Sequence, residues 1–337
     1  MEFYEAKYWV KEGERVRCLL CPHRCLIKEG ESGICKVRVN DGGVLKSLVF
    51  SKIAAANVDP IEKKPFFHFF PGSFSFSIAT VGCNFRCLFC QNWSLSQAIR
   101  EKGSVYGEEL IPEKIIIYAK RQQCKSISYT YSEPTIYYET AYETCQLAKK
   151  EGLYNNFVTN GFIEKEPLLN LRGLLDAANV DLKSFSEDFY KKYCGGSLKP
   201  VLETLVLMKE VGIWVEVTTL LIPTLNDSVE EITKIARFIK NELGEGTPWH
   251  ISRFHPDYKL NNIPPTPEKE IEKARKIGYQ EGLLYVYAGN VWGDEGENTF
   301  CPNCKELIIK RYGFKVLEKN LKGNKCKFCN FEIAGVF

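Results

Sequence analysis

Three cysteines in the run Cys83-Asn84-Phe85-Arg86-Cys87-Leu88-Phe89-Cys90 are spaced C-x3-C-x2-C, directly after a strand-like stretch at 76–80. Thiolates this close in one loop can fold over a single metal centre. A four-iron cluster is saturated by four thiolates, so three of them leave one iron open to another ligand. The bland alternative is three structural thiols or half a zinc site, and the strand leading straight into the loop argues against it. Eight more of the fourteen cysteines form two further groups: Cys18, Cys21, Cys25 and Cys35, then Cys301, Cys304, Cys326 and Cys329. Only Cys124, Cys145 and Cys194 stand apart. Clustering this strict does not fit random use of cysteine as a small buried hydrophobe.

The C-terminal group reads as two C-x2-C knuckles separated by twenty-one residues, a zinc ribbon whose four thiolates close a structural site. Lys315, Lys319 and Arg311 alternate there with Glu306 and Glu318, which favours structure or partner docking over nucleic-acid binding. For the N-terminal group zinc is the first expectation. An additional iron–sulfur cluster is the second, because spacing does not fix the metal when every ligand is sulfur. His23 lies among those cysteines as an alternative donor.

The composition frames these sites. With 337 residues, 45% hydrophobic and 26% charged, the chain can bury a sizeable core, and a net charge of +3 argues against a dedicated nucleic-acid binder. No apolar run is long enough to span a bilayer, and residues 1–9 show no basic region followed by an apolar stretch. The chain therefore reads as cytoplasmic, with no membrane association, and its cysteines as reduced metal ligands before disulfides.

The elements that position the trio alternate in type. Strand-like runs fall at 76–80, 126–130, 155–159, 179–182, 214–221, 250–254 and 283–287, and helical runs at 112–123, 136–150, 200–210, 229–243 and 267–282. Repeated βα units imply a parallel sheet. With a cysteine loop after the first of them and no Gly-x-Gly-x-x-Gly there, the expected fold is α/β, a partial or complete (β/α) barrel. Residues 1–70 form a Cys-rich appendage, 71–295 the barrel and 296–337 the zinc-ribbon-like end. The helix at 229 is well specified. Asp227 or Ser228 can cap it, Glu230 and Glu231 sit in its first turn, and Ile232, Ile235, Ala236 and Ile239 share one face.

Barrel chemistry gathers where strands end. The second strand runs into Tyr131-Ser132-Glu133-Pro134, the third into Thr159-Asn160-Gly161, the fourth into Asp181-Leu182-Lys183, and the sixth into His255. Each has an ordinary reading: a helix cap for Glu133, an ion pair for Asp181 and Lys183, packing for His255. Cys194, in Tyr193-Cys194-Gly195-Gly196 beyond the fourth strand, is either a buried small residue or a catalytic thiol able to give up a hydrogen atom or bind substrate.

The cysteine trio, with aromatic Phe89 before its last member, resembles the C-x3-C-x-aromatic-C signature of radical S-adenosylmethionine (SAM) enzymes. In those enzymes SAM chelates the open iron of a [4Fe-4S] cluster. The middle of the chain resembles the pyruvate formate-lyase activating type, an oxidoreductase. The resemblance implies that Glu133 holds the SAM ammonium, that Asp181 and Lys183 act on its ribose and carboxylate, that His255 meets the adenosine, and that Phe89, Ser132 and Asn160 line the same site. Ser132-Glu133-Pro134 stands where that type has Gly-Gly-Glu-Pro, with Tyr131 and Ser132 in place of the glycines. The Cys18-x-x-Cys21-Pro22-His23-x-Cys25 run, residues 179–183, Tyr193-Cys194-Gly195 and residues 248–258 resemble the AmmeMemoRadiSam radical SAM proteins over nearly the whole length.

That resemblance implies a protein or peptide substrate, reduced ferredoxin or flavodoxin as electron donor, and AMMECR and Memo family partners. RNA or a small molecule is the alternative substrate. A multi-metal electron-transfer protein without turnover is the alternative class. Four polar residues at strand ends favour catalysis over mere electron carriage.

Overall fold

The computed structural model describes residues 4–337; residues 1–3, the start of the run read for a leader, lie outside the described residues. Eight strands form the central sheet: β1 (Ala55–Pro60), β2 (Phe74–Ala79), β3 (Ser126–Tyr129), β4 (Tyr154–Thr159), β5 (Ala177–Asp181), β6 (Trp214–Leu221), β7 (Trp249–Arg253) and β8 (Val286–Gly289). They lie side by side in chain order, β2 to β8 all parallel and β1 antiparallel to β2. Among the described residues β1 and β8 do not pair, so the barrel is the partial form. Strand β1 falls within the segment expected to be a separate appendage. Its Pro60 is tolerated because β1 is an edge.

Apart from the edge strand β1, the strands are largely buried on both faces, yet they do not read as continuous apolar runs. Small polar residues line the interior and satisfy one another: Ser75 Oγ lies 2.6 Å from Ser128 Oγ, Ser128 donates to Asn156 Oδ1 at 2.6 Å, and Thr218 donates to Asn179 Oδ1 at 2.7 Å. Outside the sheet pack α1 (Pro112–Arg121), α2 (Tyr138–Lys150), α3 (Lys199–Glu210), α4 (Val229–Phe238) and α5 (Glu268–Gln280). Helix α2 starts later than expected because a 3-10 turn occupies Pro134–Tyr137, and the tail of α4 rewinds as a π turn at Ile239–Leu243. Ser228 is the cap of α4, accepting from the Glu231 N–H at 3.2 Å, and Ile232, Ile235, Ala236 and Ile239 are buried as the pattern predicts.

The appendages occupy opposite ends of the sheet. Two small antiparallel sheets, built from Trp9–Glu12, Arg15–Cys18 and Leu26–Ile27 and from Tyr4–Glu5, Arg38–Asp41 and Val44–Ser47, sit beside the strand ends that carry the trio. A buried Arg38–Glu139 ion pair ties them to the start of α2, and Glu164 N–H donates to Leu20 O at 3.0 Å just past β4. The C-terminal strands Thr299–Phe300, Leu307–Tyr312 and Lys315–Lys319 cover the other end. There Arg311 donates to Phe67 O at 2.8 Å, and Val336 N–H donates to His68 O at 2.7 Å. No helix among the described residues is long and apolar enough to cross a membrane.

Candidate active site

A cavity of about 400 Å³ opens where β2 to β8 end, and Cys83, Cys87 and Cys90 all line it. The loop that carries them is held by backbone bonds to the segment after β5: Arg86 N–H to Cys194 O at 2.7 Å and Leu88 N–H to Tyr193 O at 2.9 Å. Gly82 opens the loop with φ +102°, and a Cβ there would stand 2.8 Å from Val37 and 3.0 Å from Cys35 O. Only glycine allows this loop to lie against the N-terminal cysteine segment. The Phe85 N–H already points at Cys83 Sγ, 3.3 Å away.

Most of the residues singled out in the sequence meet at this cavity. Phe89, Ser132, Glu133, Asn160, Asp181 and Lys183 line it together with the trio. Lys183 Nζ lies 2.8 Å from Asp181 Oδ2 and 6.0 Å from the centre of the Phe89 ring. Burial works against the Lys183 charge, but Asp181 and the Cys87 and Cys194 sulfurs outweigh it and hold the amine firmly protonated. The Glu133 carboxylate accepts from the Thr135 hydroxyl at 2.7 Å, the Thr159 hydroxyl at 2.7 Å, the Thr135 N–H at 3.1 Å and the Asn160 N–H at 2.8 Å. It is thus a cap and part of the cavity wall at once. Burial pushes its pKa up despite those four donors.

Ser132 carries a sign of a missing partner: the residue lines the cavity, and its hydroxyl is buried with no hydrogen-bond partner. Three thiols for three irons, an acid–amine pair and an unsatisfied hydroxyl on one cavity wall fit a site-differentiated four-iron cluster with SAM beside it.

Tyr131 holds a left-handed φ of +61° where the resembling type has glycine. That strain, on the order of 1 kcal/mol, is held in place by its hydroxyl, which donates to Asp59, and by Lys64 stacked 4.0 Å from its ring centre. Lys64 was not found in the sequence. It is buried, paired with Asp59 at 2.7 Å, and lines the cavity; burial lowers its pKa to about 8. Nothing in the local pattern around Lys64 announces this, because Asp59, Lys64 and Tyr131 meet only through the pairing of β1 with β2 and of β2 with β3.

Two residues stand elsewhere. His255 is exposed at the rim, its Nδ1 3.1 Å from Gln91 Nε2, and it is not among the cavity-lining residues. Cys194 is fully buried beneath the cysteine loop, beside Cys87 and Lys183, and does not line the cavity either; burial pushes its thiol pKa well up.

At the far end of the sheet the four C-terminal sulfurs all lie within 4.8 Å of one another, with Cys301–Cys329 at 3.6 Å and Cys304–Cys326 at 3.7 Å. Four thiolates about 2.3 Å from one ion would stand roughly 3.8 Å apart, so this group can close on a single metal. It has no access to the cavity.

The sequence profile of the Radical SAM superfamily matches residues 77–239, which include the trio, Glu133 and the Asp181–Lys183 pair. An uncharacterised protein of Methanocaldococcus jannaschii is 49% identical over 332 residues, 98% of each chain. A protein of the same organism named as a glycyl-radical enzyme activating enzyme is 30% identical over 205 residues, 60% of this chain and 75% of its own. The pyruvate formate-lyase-activating enzyme of Clostridium pasteurianum is 25% identical over 224 residues, 60% of this chain and 88% of its own. Among solved structures, Streptococcus suis SuiB bound to S-adenosylmethionine superposes with a TM-score of 0.51 at 14% identity, covering 68% of this chain and 53% of that one. With its cysteine loop, its strand-end acid–amine pair and these relatives, the chain belongs to the radical SAM superfamily.

Proposed function

We propose that this enzyme abstracts a hydrogen atom from a protein or peptide substrate, in the manner of the activating enzymes it resembles. The bound cluster and SAM supply one-electron cleavage of SAM to methionine and a 5′-deoxyadenosyl radical. The chain's own residues do the positioning. Cys83, Cys87 and Cys90 hold three irons, Asp181 and Lys183 take the ribose and carboxylate of SAM, and Glu133 and Ser132 take its ammonium end. Phe89 and Asn160 complete the wall. His255 stands at the rim on Gln91, where it can reach the adenosine only by turning inward.

The observation that supports this reading most is the convergence of three thiols, the Asp181–Lys183 pair and the unpartnered Ser132 hydroxyl on one cavity. The relatives named as activating enzymes support a protein substrate. Reduced ferredoxin or flavodoxin supplies the electron, and homologues of Memo and AMMECR are the partners to add first. The C-terminal thiolates hold zinc as a structural ion, apart from the chemistry; residues 71–295 are the barrel and 296–337 the ribbon, while of the segment 1–70 β1 and Lys64 belong with the barrel and the residues before β1 form the appendage.

The test is anaerobic turnover of reduced, cluster-loaded enzyme with SAM and a deuterated candidate protein. The expected result is deuterium in the 5′-deoxyadenosine released. Deuterium arriving only from RNA or a small molecule would replace the substrate class, and no 5′-deoxyadenosine under any condition would overturn the reading.

A further inference from the structure

Cys18, Cys21, Cys25 and Cys35 surround a small hollow next to the trio's loop, lined also by Leu20, Ile27, Ile34, Ile136, Arg38 and His23, whose Nε2 is engaged on Asn84 O at 2.8 Å. Two observations say what size of group belongs there. First, among the described residues the C-terminal group alone brings three or more such ligand atoms within 4.8 Å of one another. No three of the four N-terminal sulfurs gather in this way, although all four cysteines line one hollow. A tetrathiolate zinc site needs sulfur–sulfur edges of roughly 3.8 Å, whereas thiolates on the corners of a four-iron cube stand roughly 6 Å apart. The trio, which the family assigns to a cluster, likewise does not gather to within that limit.

Second, Arg38 lines the hollow almost fully buried, and its Nε and Nη1 have no hydrogen-bond partner. Its Nη2 alone is used, on Glu139 and on Lys7 O. Buried N–H groups of a guanidinium are costly to leave unpaired. An anionic iron–sulfur group in the hollow supplies sulfur acceptors for them, as the Ile34 N–H already shows by pointing at Cys25 Sγ from 3.4 Å.

We propose that Cys18, Cys21, Cys25 and Cys35 hold a second four-iron cluster, saturated by its four thiolates, next to the one in the trio's loop. The two sites share a wall. Arg100 Nη2 donates both to Ile34 O, one residue before Cys35, and to Cys83 O at 3.2 Å, and Gly82 lies against Cys35 O. With four thiolates on four irons, no coordination position is left for substrate.

The deciding measurement is the metal and sulfide content of the full-length Cys83→Ala, Cys87→Ala, Cys90→Ala chain after anaerobic reconstitution. It does not depend on the proposed reaction, because the trio is gone. About four irons and four sulfides should remain per chain, with iron–sulfur absorbance. Adding Cys21→Ala and Cys25→Ala should then remove that iron. A trio-less chain that carries no iron overturns the proposal, as does iron that survives the loss of Cys21 and Cys25. If the five-fold variant does not fold, the content of the trio-less chain decides alone.

Discussion

Two groups of four cysteines flank the same sheet, one at each end, and they hold their sulfurs differently. The C-terminal four pack to 3.6 and 3.7 Å in pairs, far from the cavity, on a ribbon fastened to the barrel's lower end by Arg311. The N-terminal four stand wider apart around a hollow with an unsatisfied guanidinium, and their segment presses on the cysteine loop of the active site. Residue type is identical in both groups. What differs is how closely the sulfurs gather and which end of the strands they face, and on that contrast rest the two proposals, an ion that serves folding and a cluster beside the chemistry.

The strongest way to break this comparison is to remove the ribbon's metal. Cys301→Ala with Cys304→Ala should abolish metal binding there and unfold the segment from Thr299 onward. A closed tetrathiolate site of this kind can contribute roughly 10 kcal/mol to a small segment's folding. The absorbance of the reconstituted upper clusters and SAM cleavage without substrate should stay largely intact, read alongside a fall in thermal midpoint. Loss of the cluster absorbance in a variant whose barrel remains folded by circular dichroism would show that the two ends are not separate.

Arg38 sharpens the other half. Its pairing with Glu139 is buried on both sides, so Arg38→Ala leaves a carboxylate unpaired in the interior and should cost about 3–5 kcal/mol in urea unfolding. Replacing both partners by Arg38→Met and Glu139→Gln should recover most of that stability, because no uncompensated charge remains. The double variant should still show weaker retention of iron in the trio-less background, since the N–H groups facing the hollow are gone. Iron retention equal to the parent's would remove Arg38 from any role toward the hollow.

Acid tests the lower end alone. His68 is fully buried; its Nδ1–H donates to Ala334 O at 2.5 Å, and its Nε2 accepts from the Tyr287 hydroxyl at 2.6 Å. Glu216, His250 and Arg311 are the charged and titratable groups around it besides Tyr285 and Tyr287. Burial lowers its pKa to about 4, against the pull of Glu216. Above pH ~6.5 the ring is neutral in both folded and unfolded chains, and the full stability is present. As the pH falls towards 4 the unfolded chain takes a proton that the folded one refuses, so stability declines by at most about 3 kcal/mol. His68→Gln should lose less stability than the parent between pH 7 and 4.5, by urea midpoint at each pH. Equal losses in the two proteins would mean that His68 is not the group refusing the proton.

These contrasts also mark what the sequence makes legible. The seven parallel strands and the five longer helices are visible because each repeats a local period, and the α4 face and its Ser228 cap need only the twelve residues 228–239. The trio, Glu133 and the Asp181–Lys183 pair are visible because they sit at fixed offsets from strand ends. Lys64 is not, since it enters the cavity from a turn after an antiparallel edge strand, within the thirteen residues 61–73 that separate that strand from its partner. The widths of the two cysteine groups are hidden too. How closely four sulfurs gather is set by how segments distant in sequence pack together, not by the count of residues between ligands. Cys194 and His255 lie at the right chain positions, but one packs under the loop and the other faces out.

His255 therefore provides the finest test of how far chain position stands for function. Lys183 lines the cavity, paired with Asp181 and near the Phe89 ring, so in the proposed SAM site Lys183→Ala would remove a charged partner. Losing such a hydrogen bond should cost about 1.5–3 kcal/mol, roughly one to two decades in affinity, with cluster absorbance unchanged. His255 is exposed on Gln91 outside the cavity wall, and any bond it makes to the adenosine must compete with water. His255→Ala should then weaken SAM by about fivefold or less, since an ordinary neutral hydrogen bond contributes roughly 0.5–1.5 kcal/mol. Equilibrium binding of SAM to the two reconstituted variants compares them directly. An equal and large loss in both would mean that the rim folds inward on binding and that His255 joins the wall. No loss at Lys183 would remove the acid–amine pair from the SAM site altogether, whatever its position at the end of β5.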